Sequence, residues 1–133
     1  MRYLPPFEIV KATLNVTSAR GKTRVDMTYE DLQTMIRTLL AVVEVDEAFY
    51  LSRNPDVADG IRNGNIRSAR EHFLDHGYFE GRLPYQIEID EEWYLATHTD
   101  LADTLLNGQY ASGQAHFDGP GYPEGRLPFP PDH

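Results

Sequence analysis

The sequence contains no cysteine, which excludes disulfide bonds, thiolate metal sites and thiol nucleophiles. It also lacks any apolar run near the roughly 20 residues that a membrane-spanning helix needs. The first ten residues, MRYLPPFEIV, contain two prolines and no apolar stretch of signal-peptide length. We therefore expect no membrane insertion and a cytoplasmic location.

Basic residues are also scarce. The 133 residues include 12 Lys and Arg against 21 Asp and Glu, which gives a formal net charge of -9. Such a surface repels phosphate backbones and anionic lipid headgroups. The composition therefore argues against a nucleic-acid partner, and the length allows one domain, or one small domain with an appendage.

What the sequence does contain is an internal repeat. A shift of 44 positions aligns HFLDHGYFEGRLP, residues 72–84, with HFDGPGYPEGRLP, residues 116–128, and no gap is needed. We divide the chain into a leader followed by a first repeat, 46–89, and a second repeat, 90–133. The residues retained at both places form a structural repeat signature: His72, Phe73, Gly77, Glu80 and Arg82 in the first repeat, and His116, Phe117, Gly121, Glu124 and Arg126 in the second.

The helix-capping and helix-ending residues of each repeat predict three short helices. In the first repeat Asp46 is placed to cap one helix, Asn54 before Pro55 to cap the next, and Ser68 to begin the third within a capping box, SARE. Gly77 closes the third helix. In the second repeat Pro120 replaces a histidine, which predicts a shorter third helix. Helices of this length need tertiary burial to be stable.

The leader has a different pattern. Alternating apolar residues within FEIVKATLNV, residues 7–16, predict a strand, residues 18–22 a turn, and residues 23–27 a return strand. An amphipathic linking helix follows over residues 28–45, capped by Thr28. The predicted fold is mainly α with a small N-terminal β-hairpin in residues 1–27, an α+β chain in which two tandem three-helix repeats pack together.

Two constellations raise the question of chemistry. His72 and His76 stand four apart on one predicted helix, the spacing at which two imidazoles can share a zinc ion, but no third ligand is indicated. Glu80 near Arg82 permits acid-base chemistry. However, the same Glu-Gly-Arg motif recurs 44 residues later, which favours a structural turn. We expect His72 and His116 to bond a backbone carbonyl or a carboxylate. We assign no catalytic residue, no metal and no cofactor.

The first repeat resembles a short tandem repeat of bacterial proteins. The segment FYLSRNPDVADGIRNGNIRSAREHFLDHGYFEGR, residues 49–82, is similar to the form Y-L-x-x-N-P-D-V-A, then Gly, Ser-Ala, His-Phe, Gly and E-G-R. That repeat occurs in secreted or surface proteins and beside glycosyltransferase or methyltransferase domains. The resemblance covers residues 46–128, and the second repeat departs from it at His98-Thr99, Gly113 and Pro120. It implies an accessory module for interaction or spacing, without an activity of its own.

Two functions remain open at this point. The first is a non-enzymatic protein-protein interaction or scaffold role, in which the N-terminal hairpin and helix join chains into a homo-oligomer, because an isolated hairpin is marginal in water. The alternative is a carbohydrate-binding or glycosyltransferase-accessory module, with polysaccharide as the partner. In either case the predicted partner surface consists of aromatic residues in the tails of the repeats: Tyr78, Phe79 and Tyr122.

Overall fold

The computed structural model describes residues 3–132 and divides the chain into two compact units, Met1–Glu44 and Val45–His133. The protein is mainly helical, with one two-stranded antiparallel sheet near the N-terminus. At this level the predicted fold class is confirmed. Among residues 3–132, no helix is both long enough and apolar enough to cross a membrane.

The first unit begins with a helix where a strand was predicted. Helix α1 spans Phe7–Ala12, so the strand expected over residues 7–16 is wrong for most of its length. Pro6 explains the difference, because its carbonyl accepts the bonds from the Ile9 and Val10 amides with which the helix begins, and a proline at this place has no amide to lose. Glu8 in the first turn and Lys11 in the last turn also match the helix dipole.

The hairpin itself is present but begins later and turns more tightly than predicted. Strand β1 spans Asn15–Ala19 and pairs with strand β2, Lys22–Asp26. The turn is only Arg20 and Gly21, with φ of 53° and 73°, instead of the five residues 18–22. Two residues of positive φ give a turn whose twist matches that of the strands. Strand pairing therefore reaches almost to the tip.

Helix α2, Tyr29–Leu40, follows the hairpin. The Thr28 hydroxyl accepts a hydrogen bond from the Asp31 amide at 3.1 Å, which confirms the predicted cap. The helix ends five residues before the predicted boundary at 45. Two β-branched valines follow Ala41, and such residues favour the helical state less than leucine or alanine does.

The first repeat begins with helix α3, Glu47–Arg53, and helix α4, Pro55–Arg62. The Asp46 carboxylate caps α3 by accepting from the Phe49 amide at 3.0 Å. Asn54 occupies the N-cap position of α4, but its side chain makes no capping hydrogen bond, which corrects the prediction. Its side-chain amide donates to the carbonyl of Tyr50 instead, so it is oriented by the preceding helix.

The third helix of the first repeat is short and changes its winding. Helix α5, Ala69–His72, continues into a π-helical turn, Phe73–Gly77. The Ser68 hydroxyl caps it by accepting from the Glu71 amide at 3.1 Å. π-Helical turns within helices are uncommon and often serve to place particular side chains.

The second repeat has the same order of elements, with two differences from expectation. The π-helical turn of the second repeat contains Pro120 and is as long as its counterpart, five residues each, so the prediction that this proline shortens the helix is wrong. The ring fixes φ near a helical value and removes only one amide donor. The second helix is split into a 3-10 turn and a short helix. The elements are helix α6, Glu91–Thr97, the 3-10 turn Thr99–Leu101, helix α7, Ala102–Leu106, helix α8, Gly113–His116, and the π-helical turn Phe117–Gly121.

The core of the second unit is built from aromatic and aliphatic side chains of both repeats. Leu83, from the end of the first repeat, is 5% exposed and belongs to one cluster with Tyr94 and Phe117. Arg53 donates to the carbonyl of Asp118 at 2.8 Å, across the same contact. The two repeats are thus in contact through buried side chains and through a hydrogen bond that spans 65 positions.

Candidate functional site

A buried tyrosine bonded to a histidine lies at the centre of each repeat. The Tyr50 hydroxyl and His72 Nδ1 are 2.8 Å apart, and the Tyr94 hydroxyl and His116 Nδ1 are 2.9 Å apart. Burial raises the pKa of Tyr50 to about 12 and lowers the pKa of both histidines. Both partners are therefore neutral at pH 7. The histidines bond a phenol, whereas a backbone carbonyl or carboxylate was expected.

The signature glycines make room for this pair. A Cβ atom at Gly77 would collide with the Tyr50 hydroxyl, and a Cβ atom at Gly121 would collide with the Tyr94 hydroxyl. Both glycines are buried at the end of a π-helical turn. The glycine is thus needed because a side chain would displace the tyrosine.

The signature arginines fasten the tail of each repeat to its second helix. Both guanidinium nitrogens of Arg82 contact the two carboxylate oxygens of Asp56 at 3.0 Å, and Arg126 contacts Asp100 in the same way at 2.8 and 2.7 Å. This contact lowers the pKa of Asp56, and that of Asp100 to about 2. Bidentate pairs of this kind fix geometry as well as charge.

The Glu-Gly-Arg turn completes that arrangement. Arg82 Nε donates to Glu80 at 3.0 Å, and Arg126 Nε donates to Glu124 at 2.9 Å. The glycine between them, Gly81, has φ of +78°, a conformation that a Cβ atom disfavours. Each arginine therefore holds two carboxylates at once, which explains why the motif recurs as a unit.

An open groove lies beside His72 in the first repeat. Its volume is about 570 Å³, and His76 lines it with a ring centroid 5.6 Å from that of His72. Since Tyr50 uses Nδ1 of His72, Nε2 is the ring nitrogen that remains for a ligand. Within residues 3–132, no group of three or more histidine, aspartate or glutamate side chains is arranged to hold a metal ion. The remaining lining comes from residues 64–67 together with Glu71 and Asp75.

The corresponding place in the second repeat is covered. Tyr110 stands where Ile66 stands in the first repeat, and its ring meets the edge of His116 at a centroid distance of 5.1 Å. His116 is consequently only 5% exposed, whereas His72 is half-buried. Ile66 instead lies against Gly60, where a Cβ atom would collide with it.

The predicted partner surface is only partly available. Tyr78 is 41% exposed and packs edge-on against Phe79, which is half-buried. Tyr122 is half-buried against Phe117, and burial beside Tyr78 and Tyr85 raises its pKa. Tyr85, 44% exposed, was missed because it lies outside the repeat signature. The only signal in the sequence was that Tyr85 directly follows Leu83-Pro84, which recur in the second repeat as Leu127-Pro128.

Comparison of the chain with protein-family models, with curated proteins and with solved structures finds no match in any of the three.

Proposed function

We propose that this protein is a non-enzymatic assembly protein that associates with copies of itself through the first unit. The observation that carries the proposal is burial: none of the described residues 3–44 is buried. Phe7 is 70% exposed, Ile9 55% and Val25 52%. Large apolar side chains left exposed within one small unit are typical of an interaction surface.

The fold of the first unit adds two reasons. Its sheet has only two strands, so each strand has an unpaired edge, and a hairpin of this size is marginal without further packing. Beside it, a groove of about 200 Å³ between α1 and α2 is lined by Ile9, Val10, Leu14 and Met35 among others. A second first unit, placed against this groove, would bury apolar surface that one chain leaves in water.

The second unit, in this proposal, is a pair of tandem three-helix modules of the kind described for bacterial secreted and surface proteins. Its support is the matched set of contacts at positions 44 apart: the tyrosine-histidine bond, the glycine under the phenol, and the arginine between two carboxylates. These contacts occupy the phenol hydroxyl, one imidazole nitrogen and the guanidinium group within each module. The modules then act as a rigid body that the first unit assembles.

The test is the particle mass of the full chain in solution, measured by light scattering. The variant Phe7→Ser/Ile9→Ser should lower the number of subunits per particle, since serine removes apolar area that the contact buries. Leu106→Ser is the matched control, because Leu106 is 86% exposed but lies in the second unit. An unchanged subunit number in the first variant, or a wild-type monomer, would rule the proposal out.

A second candidate function, carbohydrate binding, is favoured by the exposed tyrosines. Tyr78 and Tyr85 present ring surface beside Tyr122, and amphipathic rings of this kind are common anchors at binding surfaces. Titration with a panel of polysaccharides should show binding that Tyr78→Ala/Tyr85→Ala abolishes and Tyr29→Ala leaves unchanged, since Tyr29 is 67% exposed in the first unit. The absence of binding to every polysaccharide would remove this candidate.

A further inference from the structure

The contact between the two repeats is built from a different surface of each repeat. From the first repeat, Arg53 donates to the carbonyl of Asp118 at 2.8 Å. Gly81 approaches Pro123 so closely that a Cβ atom on the glycine would lie 3.0 Å from the proline side chain, and Leu83 belongs to the buried cluster of the second repeat. We call the surface around Arg53, Gly81 and Leu83 the tail face, and the surface around Asp118 and Pro123 the receiving face.

The second repeat exposes the tail face that the first repeat buries. Leu127 stands 44 positions after Leu83 and is 48% exposed, whereas Leu83 is 5% exposed. Gly125, the counterpart of Gly81, has φ of +82° against +78°, so the backbone turn is the same at both places. A Cβ atom at Gly125 would meet no atom within 4 Å outside the adjacent residues. The two tail faces therefore differ in what covers them and not in their backbone.

The first repeat presents the complementary receiving face. The π-helical turn Phe73–Gly77, which contains Leu74 at the position of Asp118, has the same length as its counterpart in the second repeat. Tyr78 directly follows this turn and is 41% exposed, whereas its counterpart Tyr122 is half-buried. The backbone of the receiving face is thus retained in the first repeat, and its aromatic residue remains open to solvent.

The ion pair of the internal contact is changed at both of its positions. Arg53 lies 4.0 Å from the carboxylate of Asp118, and the residues 44 positions away are Thr97 and Leu74. A contact between the second repeat of one chain and the first repeat of another would therefore place a threonine against a leucine. It would bury no unpaired charge at this place, and a buried unpaired charge is strongly destabilising.

We propose that the second repeat of one chain docks onto the first repeat of another chain, with the tail face of the former against the receiving face of the latter. The register is that of the internal contact, so Leu127 takes the place of Leu83. This contact goes beyond the one proposed for the first unit and uses none of its residues. Because the two surfaces differ, the contact is head-to-tail, and it closes into a ring or grows into an open chain.

The contact between chains should be weaker than its counterpart within the chain. The two repeats of one chain are tethered, so they meet at a high effective concentration, and two separate chains do not. The mean particle mass should therefore rise with protein concentration. The full-length variant Phe7→Ser/Ile9→Ser is the background for the test, because it weakens the contact proposed for the first unit and leaves both repeats unchanged.

Two further substitutions in that background each block one face. Leu127→Asp places a carboxylate on the tail face. Leu74→Asp acts on the receiving face and introduces the residue that the second repeat has at this position. Each should weaken association at least about tenfold in sedimentation equilibrium, because an unpaired charge enters the contact. An equimolar mixture of the two variants should form pairs and no larger particle, because each chain retains one intact face.

Addition of Thr97→Arg to the Leu74→Asp variant tests the register. The introduced guanidinium group then faces the introduced carboxylate of the neighbouring chain, as Arg53 faces Asp118 within the chain. Association should return at least to the level of the background variant, and added salt should now weaken it. The same result would show that the chain with Leu74→Asp folds.

Leu106→Asp in the same background is the matched control. Leu106 is 86% exposed in the second repeat, and its counterpart Arg62 pairs with Asp59 of its own helix. The control adds the same charge as Leu127→Asp outside the tail face, so it should keep the association of the background variant.

The docking is overturned if the background variant is a monomer at every concentration, if either blocking variant associates as the background does, or if the control loses association. A mixture that forms no pairs, or a failure of Thr97→Arg to restore association, would overturn it as well. The proposed function fails separately: if Phe7→Ser/Ile9→Ser has the wild-type mass while Leu127→Asp lowers it, the repeats associate and the first unit does not.

Discussion

The two repeats hold the same tyrosine-histidine pair in different surroundings. In the first repeat His72 borders an open groove, and in the second the ring of Tyr110 lies against His116. The tyrosine-histidine pair, the glycine beneath it and the arginine that the repeats share are committed to internal contacts, while the charged residues around the groove belong to the first repeat alone. The comparison teaches that the retained residues support the fold, and that the residues lost between repeats mark the surface available to a partner.

The largest loss of stability is expected when a methyl group is added beneath the buried tyrosine hydroxyl of either repeat. We expect Gly77→Ala and Gly121→Ala each to lower the free energy of unfolding by about 2–4 kcal/mol. The added Cβ atom overpacks the core, and it also displaces the tyrosine hydroxyl from its hydrogen bond with the histidine. Urea denaturation measures the change.

Gly119→Ala provides the control within the same π-helical turn. A Cβ atom at Gly119 meets no atom within 4 Å outside the adjacent residues, so this variant should cost clearly less than Gly121→Ala. The loss that remains is expected from Pro120, because a proline disfavours a helical residue with a Cβ atom directly before it. If Gly119→Ala is as unstable as Gly121→Ala, the glycine is required for its backbone conformation, and the steric explanation is wrong.

Removal of the phenol hydroxyl should lower the stability of the protein by a different amount in each repeat. Tyr94→Phe leaves a nearly buried His116 without its partner and should cost about 2 kcal/mol, whereas Tyr50→Phe leaves a half-buried His72 that water can reach and should cost about 1 kcal/mol. Equal losses in a urea titration, or a larger loss for Tyr50→Phe, would contradict the difference in exposure.

Acid should destabilise the protein in two stages. Burial lowers the pKa of His72 and His116, so the unfolded chain binds protons first as the pH falls. Stability is therefore complete above about pH 6.5 and declines below it. The lowered pKa values of Asp56 and Asp100 give a contribution present above about pH 4 that is lost as the pH falls further.

The two stages can be assigned by substitution. The urea midpoint is recorded as a function of pH. The loss of stability below about pH 6.5 should become smaller in His72→Gln and in His116→Gln. The lower stage should diminish in Arg82→Gln/Arg126→Gln, because the arginines no longer hold the aspartates. A wild-type profile that is flat between pH 7 and 5 would show that the histidines are not buried in neutral form.

The smallest effect is expected when the residues at the corresponding positions 66 and 110 are exchanged between the two repeats. Ile66→Tyr should place a ring near His72 and lower its pKa further, and Tyr110→Ile should hydrate His116 and raise its pKa toward the ordinary value. We expect either substitution to change stability by only about 1 kcal/mol. Histidine titration followed by NMR measures both, and unchanged pKa values would show that residues 66 and 110 do not control access.

Local signals in the sequence predicted much of the framework. The caps at Thr28, Asp46 and Ser68 follow from a side chain that reaches an amide three residues away, so neighbouring residues contain the whole interaction. The division into repeats needed only the 44-residue shift.

Contacts between distant residues were not predictable in the same way. The tyrosine-histidine bonds join residues 22 positions apart, and the cover of His116 depends on Tyr110 through tertiary packing. Helix α1 was missed because its apolar residues fit an alternating pattern, and the bond from Pro6 that begins the helix leaves no trace in that pattern.

The first residue of each repeat is joined by a backbone hydrogen bond to the proline that lies five residues before the end of that repeat. The Asp46 amide donates to the carbonyl of Pro84 at 2.9 Å, and the Asp90 amide donates to the carbonyl of Pro128 at 3.0 Å. The chain therefore returns to the entry point of each repeat five residues before that repeat ends. A segment closed in this way can be duplicated or deleted as one piece of a gene with its entry and exit unchanged, so that the number of modules can change while each module keeps its structure.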